Sequence, residues 1–305
     1  MARAISRSST IRPSSRRRAC RFRTGSMTDP LISADEALDV AADGRTVFVD
    51  ATWTFPGGPQ PWLEGYIPGA VPLDIDTVKD AGNPLPHMLP SPQDFAAHMD
   101  AIGIVNDTPV VVYDRIGLFS APRVWWMFKV MGHDDVRVLD GGLPAWLAAG
   151  GSVVPDLDPV ESASGYRAAF RPERVADRDA VLSASESGHA NIVDARPRSR
   201  FEGASPEPRE GMRSGHIPGA ICHPFLDLWT DDKALKRDSR VSQTPGFDPE
   251  KPVITTCGSG VTASLLALAL EREGITAAVY DGSWAEWGSR ADTPVETGPQ
   301  RKGGA

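Results

Sequence analysis

Pro252-Val253-Ile254-Thr255-Thr256-Cys257-Gly258-Ser259-Gly260-Val261-Thr262-Ala263-Ser264-Leu265-Leu266-Ala267-Leu268-Ala269-Leu270 decides how the rest of the chain is read. Four β-favouring residues after a proline predict a short buried strand. The Ala/Leu run, closing at Glu273-Gly274, predicts a buried helix with a glycine stop. Between them a cysteine is followed by two glycines and small hydroxyls. In a strand–tight loop–helix unit the first helix amides lack partners, and they point with the positive helix end at whatever fills the loop. Here that is the Cys257 sulfur. An ordinary thiol titrates near pH ~8.5 and is a poor nucleophile at neutral pH, whereas an electropositive loop favours the reactive thiolate. Glycine lets the backbone close around the sulfur with no Cβ in the way. The common reading of an unbridged cysteine is a small core residue, but Cys-Gly-Ser-Gly-Val-Thr is a poor choice for simple packing. Cys257 is therefore read as an activated nucleophile.

The pattern around this stretch occurs twice. Val47-Phe48-Val49-Asp50-Ala51 returns as Asn191-Ile192-Val193-Asp194-Ala195, 144 positions on. Tyr66-Ile67-Pro68-Gly69-Ala70 returns as His216-Ile217-Pro218-Gly219-Ala220, 150 on, and Val110–Asp114 as Val253–Cys257, 143 on. Val138-Leu139-Asp140-Gly141-Gly142 returns as Val279-Tyr280-Asp281-Gly282-Ser283, 141 on. Constant order at nearly constant spacing means two copies of one domain of roughly 120–140 residues. Short apolar runs alternate with helical segments in each, which predicts an α/β fold with a parallel sheet flanked by helices. The expected layout is a first domain over 29–151, a Pro-containing linker over 152–169, a second domain over 170–295 and a loose tail over 296–305. The copies part at one telling place. Asp114 stands where Cys257 would be, and Arg115 to Phe119, replacing the compact Gly-Ser-Gly, are not expected to form an amide cradle. Copy one is expected to be a scaffold and copy two to carry the chemistry.

Composition narrows the classes. The chain of 305 residues is 41% apolar, enough for two cores, and no apolar run approaches the ~20 residues of a membrane span. Three cysteines, Cys20, Cys222 and Cys257, are too few and scattered for a disulfide framework or metal site, which points to a reducing compartment. Residues 1–26 hold eight arginines and no acid, so with the whole chain at −8 the remainder carries −16. An acidic body argues against nucleic acid as a partner. The head resembles a mitochondrial transit peptide, but Pro13 and the excess of arginine over lysine favour an upstream extension with Met27 as the working start. Residues 1–28 are expected to be disordered, and the protein cytoplasmic, or mitochondrial if the head is a targeting segment.

The Cys257 loop, with Asp194-Ala195-Arg196, Pro206-Glu207-Pro208-Arg209 and Asp281-Gly282-Ser283-Trp284, resembles the tandem rhodanese-like sulfurtransferases, closest to the 3-mercaptopyruvate sulfurtransferases. The resemblance covers residues 30–295 and implies two rhodanese-like domains, of which only the C-terminal one is active. It implies that a Cys257 persulfide moves sulfur from 3-mercaptopyruvate, or from thiosulfate as the alternative donor, to a thiol, a thioredoxin-like protein or cyanide, with no metal or organic cofactor. Of the loop arginines 196, 198, 200, 209 and 213, it assigns Arg200 and Arg209 to the donor's carboxylate and keto oxygens. Arg196 is expected to pair with a carboxylate and hold the loop, and Arg198 and Arg213 to be solvated. The loop amides of Gly258, Gly260, Val261 and Thr262 would hold the donor, and the uncharged Gly258-Ser259 pair suits a monoanion better than thiosulfate. The resemblance also makes Ser259, His87 and Asp76 candidates for a proton relay, the ordinary alternative being a histidine that holds the domain interface. A cysteine-dependent phosphatase would want an arginine six residues after the cysteine, where Ala263 stands. Trp284 is a candidate for the pocket mouth, Trp125 and Trp126 for the core.

Overall fold

The computed structural model describes residues 29–54 and 65–300. The expectations for residues 1–28 and 301–305, and for part of the loop after residue 54, lie outside the described residues. The first half runs β1 (Leu31–Ile32), α1 (Ala34–Asp43), β2 (Val47–Asp50), β3 (Val71–Pro72), α2 (Pro92–Ala101), β4 (Val110–Tyr113), α3 (Ala121–Val130), β5 (Val136–Leu139) and α4 (Gly142–Ala148). The second runs β6 (Val175–Ala176), α5 (Arg178–Ser187), β7 (Asn191–Asp194), α6 (Arg198–Phe201), β8 (Ile221–Cys222), β9 (Val253–Thr256), α7 (Val261–Arg272), β10 (Ala277–Tyr280) and α8 (Ser283–Trp287).

Both sheets are wholly parallel and share one order, β1-β5-β4-β2-β3 and β6-β10-β9-β7-β8. The strands carrying the repeats, β4 and β9, are therefore central in each. Helix starts follow local chemistry: Ser33 and Ser91 accept the amides of Glu36 and Asp94 at the N-caps of α1 and α2.

The two halves share one core. Equivalent helices α3 and α7 pack on each other, and one apolar cluster takes in Val124, Trp125 and Phe128 from α3 with Leu265, Leu266 and Leu268 from α7. A helix apolar all round, as α7 is, can exist only where it is covered all round. Polar ties cross the same boundary: Arg123 pairs with Asp281 at 2.6 Å, and the Trp126 indole N–H donates to the Arg174 carbonyl at 3.0 Å. The Trp229 indole N–H donates to the Leu118 carbonyl.

Two expectations need correction. Residues 296–300 are not loose: Glu296 bridges His216, the Gly298 amide donates to Glu202, and the Gln300 side chain bonds Cys222 and Pro245. Arg213 is not a solvated loop arginine either. Its guanidinium donates to the carbonyls of Trp287, Gly288 and Thr293, stapling the chain's end to the second domain.

Candidate active site

Cys257 follows β9 directly, at the carboxyl end of a central parallel strand, the edge at which open α/β sheets bind ligands. Its position is fixed by backbone. The Cys257 amide donates to Ser283 Oγ, and the carbonyls of Cys257 and Gly258 accept the amides of Trp284 and Ala285 at the start of α8. Gly260, the N-cap of α7, has φ +80°, and a Cβ there would stand 2.9 Å from Arg123 Nη1, so only glycine fits. Among the described residues the N–H groups from Gly258 to Thr262 donate to no acceptor. They follow directly on Cys257, which is 2% exposed and lines a cavity of about 270 Å³ together with Gly258, Ser259, Val261 and Thr262.

The equivalent loop of the first half overturns the expectation that Arg115 to Phe119 cannot make a cradle. It is three residues longer before its helix begins, yet it makes one. Asp114 Oδ1 accepts the amides of Ile116 and Gly117, and Oδ2 those of Phe119, Ser120 and Ala121, at 2.8–3.0 Å. The carboxylate is fully buried. One cradle is filled by the chain's own anion. In the other, the amides that follow the thiol have no acceptor.

The Arg196–Arg213 loop forms the second wall. Asp194, at the end of β7, binds Arg196 through both oxygens, and Arg196 Nη1 reaches Glu207 at 2.8 Å. Below it the Trp284 ring lies 4.1 Å from the guanidinium, so Trp284 is a buried platform and not part of the mouth. Short α6 carries Arg200, whose Nη2 bonds Glu207 and whose Nε lies 3.3 Å from it. Arg200, Arg209, Ser259, Val261 and Thr262 all line the cavity with Cys257 and Gly258. Burial lowers the pKa of Arg209, and the nearby Cys257 sulfur opposes that shift. Arg198 is exposed and outside the cavity.

The first half closes the cavity with Trp53 and Phe119, two rings at 6.2 Å with nearly parallel planes. These aromatics were missed in the sequence, although Trp53 matches Pro197 at the repeat spacing of 144. Behind them sit the relay candidates. The Trp53 indole donates to Asp76 Oδ2 at 2.7 Å, and Asp76 Oδ1 lies 3.0 Å from His87 Nδ1 without the alignment of a hydrogen bond. His87 is buried, has φ +59°, and turns its carbonyl onto Arg123 Nη2. Its Nε2 has no hydrogen-bond partner, so the structure brings Asp76 and His87 together but forms no bond from them to Ser259. Among the described residues no group of three or more His, Cys, Asp or Glu could hold a metal ion.

Burial pushes the His87 pKa down to about 4, helped by Arg123 and Arg209 and opposed by Asp76. Burial also lowers His133, His216 and His223. In the unfolded chain these groups take up protons near pH ~6.5, so between there and about pH 4 the unfolded state binds more protons than the folded one. Stability is therefore full above about pH 6.5 and falls as the pH drops towards 4. Urea midpoints at pH 7 and pH 5 check this, and His87→Gln should flatten the difference. Equal midpoints in the unaltered protein would contradict it.

A family model for the Rhodanese-like domain matches residues 33–149 and 177–290. The 3-mercaptopyruvate sulfurtransferase of Escherichia coli (strain K12) is 41% identical over 274 residues, covering 87% of this chain and 97% of that protein. The thiosulfate sulfurtransferase of Bos taurus is 41% identical over 267 residues, covering 84% and 89%. The crystal structure of SseA from Escherichia coli, described as a 3-mercaptopyruvate sulfotransferase, superposes with a TM-score of 0.72 at 36% identity, covering 84% of this chain and 99% of its own.

Proposed function

The chain belongs to the rhodanese-like family, and on that premise we propose that it is a 3-mercaptopyruvate sulfurtransferase acting through a Cys257 persulfide. The observation that carries this reading is the contrast between the two loops: five amides satisfied by Asp114 in one half, and five left without an acceptor directly after Cys257 in the other. In the first step the Cys257 thiolate attacks the donor sulfur. The sulfur–carbon bond breaks, its electron pair passes to the enolate of pyruvate, and the donor thiol's proton moves to that carbon. His87, neutral at physiological pH and beside Asp76, and Ser259 in the cavity wall are the groups we assign to the proton. The amides from Gly258 to Thr262 steady the negative persulfide. A thiol or cyanide then takes the outer sulfur and returns the thiolate; a thioredoxin-like protein is a fitting thiol acceptor. These steps call on no metal or organic cofactor.

Thiosulfate is read as a secondary donor, since an amide cradle attracts anions of any shape. Cys222 and Cys257, both free, fit a reducing compartment such as the cytoplasm. Among the described residues no helix is long and apolar enough to cross a membrane.

The donor clamp gives a direct test. Loss of a charge-assisted hydrogen bond of about 1.5–3 kcal/mol should lower kcat/KM for 3-mercaptopyruvate roughly ten- to hundred-fold in Arg200→Ala and in Arg209→Ala. Arg198→Ala should change it little. Unaltered kinetics in the first two variants would remove the clamp from the proposal. Intact mass after incubation with the donor should rise by one sulfur atom, on Cys257.

A further inference from the structure

Glu207 has no part in the steps above, yet its carboxylate is 1% exposed and only a guanidinium away from the cavity. Both oxygens are used: Oε1 accepts Arg196 Nη1 and lies near Arg200 Nε, and Oε2 accepts Arg200 Nη2. Burying a carboxylate is costly unless it is paired, so its place between two arginines is specific. Asp194, Arg196, Glu207 and Arg200 form one connected series of two acids and two bases. The series sums to zero. Arg200, one of the two clamp residues, thus meets the donor with its charge already balanced, while its geometry stays fixed by the two bonds to Glu207. Arg209 also feels the Glu207 charge.

We propose that Glu207 is a specificity-determining residue, whose buried charge holds down the positive potential of the cavity and so favours a monoanionic keto-acid donor over a dianionic one. The inference rests on the assignment of Arg200 and Arg209 to donor binding. A dianion gains about twice as much as a monoanion from an added positive charge at the same distance. Removing the Glu207 charge should therefore raise use of thiosulfate relative to 3-mercaptopyruvate. Gln keeps an oxygen acceptor for the arginines, and Asp keeps the charge.

The experiment compares kcat/KM for both donors, with cyanide as acceptor, in the full-length protein and its Glu207→Gln and Glu207→Asp variants. The thiosulfate-to-mercaptopyruvate ratio is expected to rise roughly tenfold or more in the Gln variant and to stay near the original in the Asp variant. A role confined to holding Arg200 in place would lower both efficiencies together; an unmoved ratio in Glu207→Gln overturns the proposal. Should that variant not fold, the unaltered protein still decides. Pyruvate should protect Cys257 from iodoacetamide at lower concentrations than sulfate does, and sulfate protecting equally well overturns the proposal. Arg200→Ala and Arg209→Ala, measured alongside, separate the failures. If they leave mercaptopyruvate kinetics untouched, the clamp and this inference fall together. If they impair it while the Gln ratio stays put, only the role of Glu207 falls.

Discussion

Cys257→Ser is expected to abolish sulfur transfer, by at least roughly a thousandfold, while the fold persists. The loop is held by the Cys257 amide and carbonyl, which the substitution leaves in place, and the serine oxygen fits the same open amides. What is lost is the sulfur that forms and releases the sulfur–sulfur bond in the proposed reaction. Among the described residues no second thiol stands ready: Cys222 is buried, with a pKa that burial pushes up to about 12. Iodoacetamide at pH 7 should accordingly label Cys257 and spare Cys222. Turnover by the serine variant, or a persulfide elsewhere, would end the assignment.

The other large effect is expected in the first half. Asp114→Ala removes the common acceptor of five amides in a site closed to solvent. Each buried N–H left unsatisfied costs about 1–3 kcal/mol, and water entering the vacated space offsets part of the sum. A loss of about 4 kcal/mol or more is expected, within the range reached by few single substitutions. Asp114→Asn should fall between, since one oxygen remains and its new N–H₂ faces donors. Urea unfolding followed by tryptophan fluorescence measures both, and an Ala variant within about 1 kcal/mol of the original would refute the account. An Asp114→Cys, Cys257→Ser protein should still not turn over. The reason is burial: residue 114 has no exposed surface through which a donor could reach it.

The parts of the fold that follow from periodicity and repetition could be read from the chain. β9, the Cys257 loop and α7 are local in sequence, and their residues dictate strand, glycine turn and apolar helix in turn. Their equivalents in the first half come with the spacing. Contacts between side chain and backbone could not be read in the same way. Nothing in Arg115-Ile116-Gly117-Leu118-Phe119 announces that its amides converge on the preceding aspartate. Glu207 is one acid among 40, and only the folded loop puts it between Arg196 and Arg200. Trp53 reaches the cavity across the boundary between halves, a juxtaposition fixed by how α3 and α7 pack rather than by any local motif.

Arg123 has a longer reach than its salt bridge suggests. It leaves the first half on α3, pairs with Asp281 near the Cys257 loop, holds the His87 carbonyl, and stands where a Cβ on Gly260 would collide with it. A repeated domain joined to its partner only by a linker could change without consequence for the other. This one has no such freedom. A change at the turn of Gly260 would bear also on Arg123, and through it on the helix and core of the first half. The first copy supplies a wall on which the Cys257 loop of the second depends.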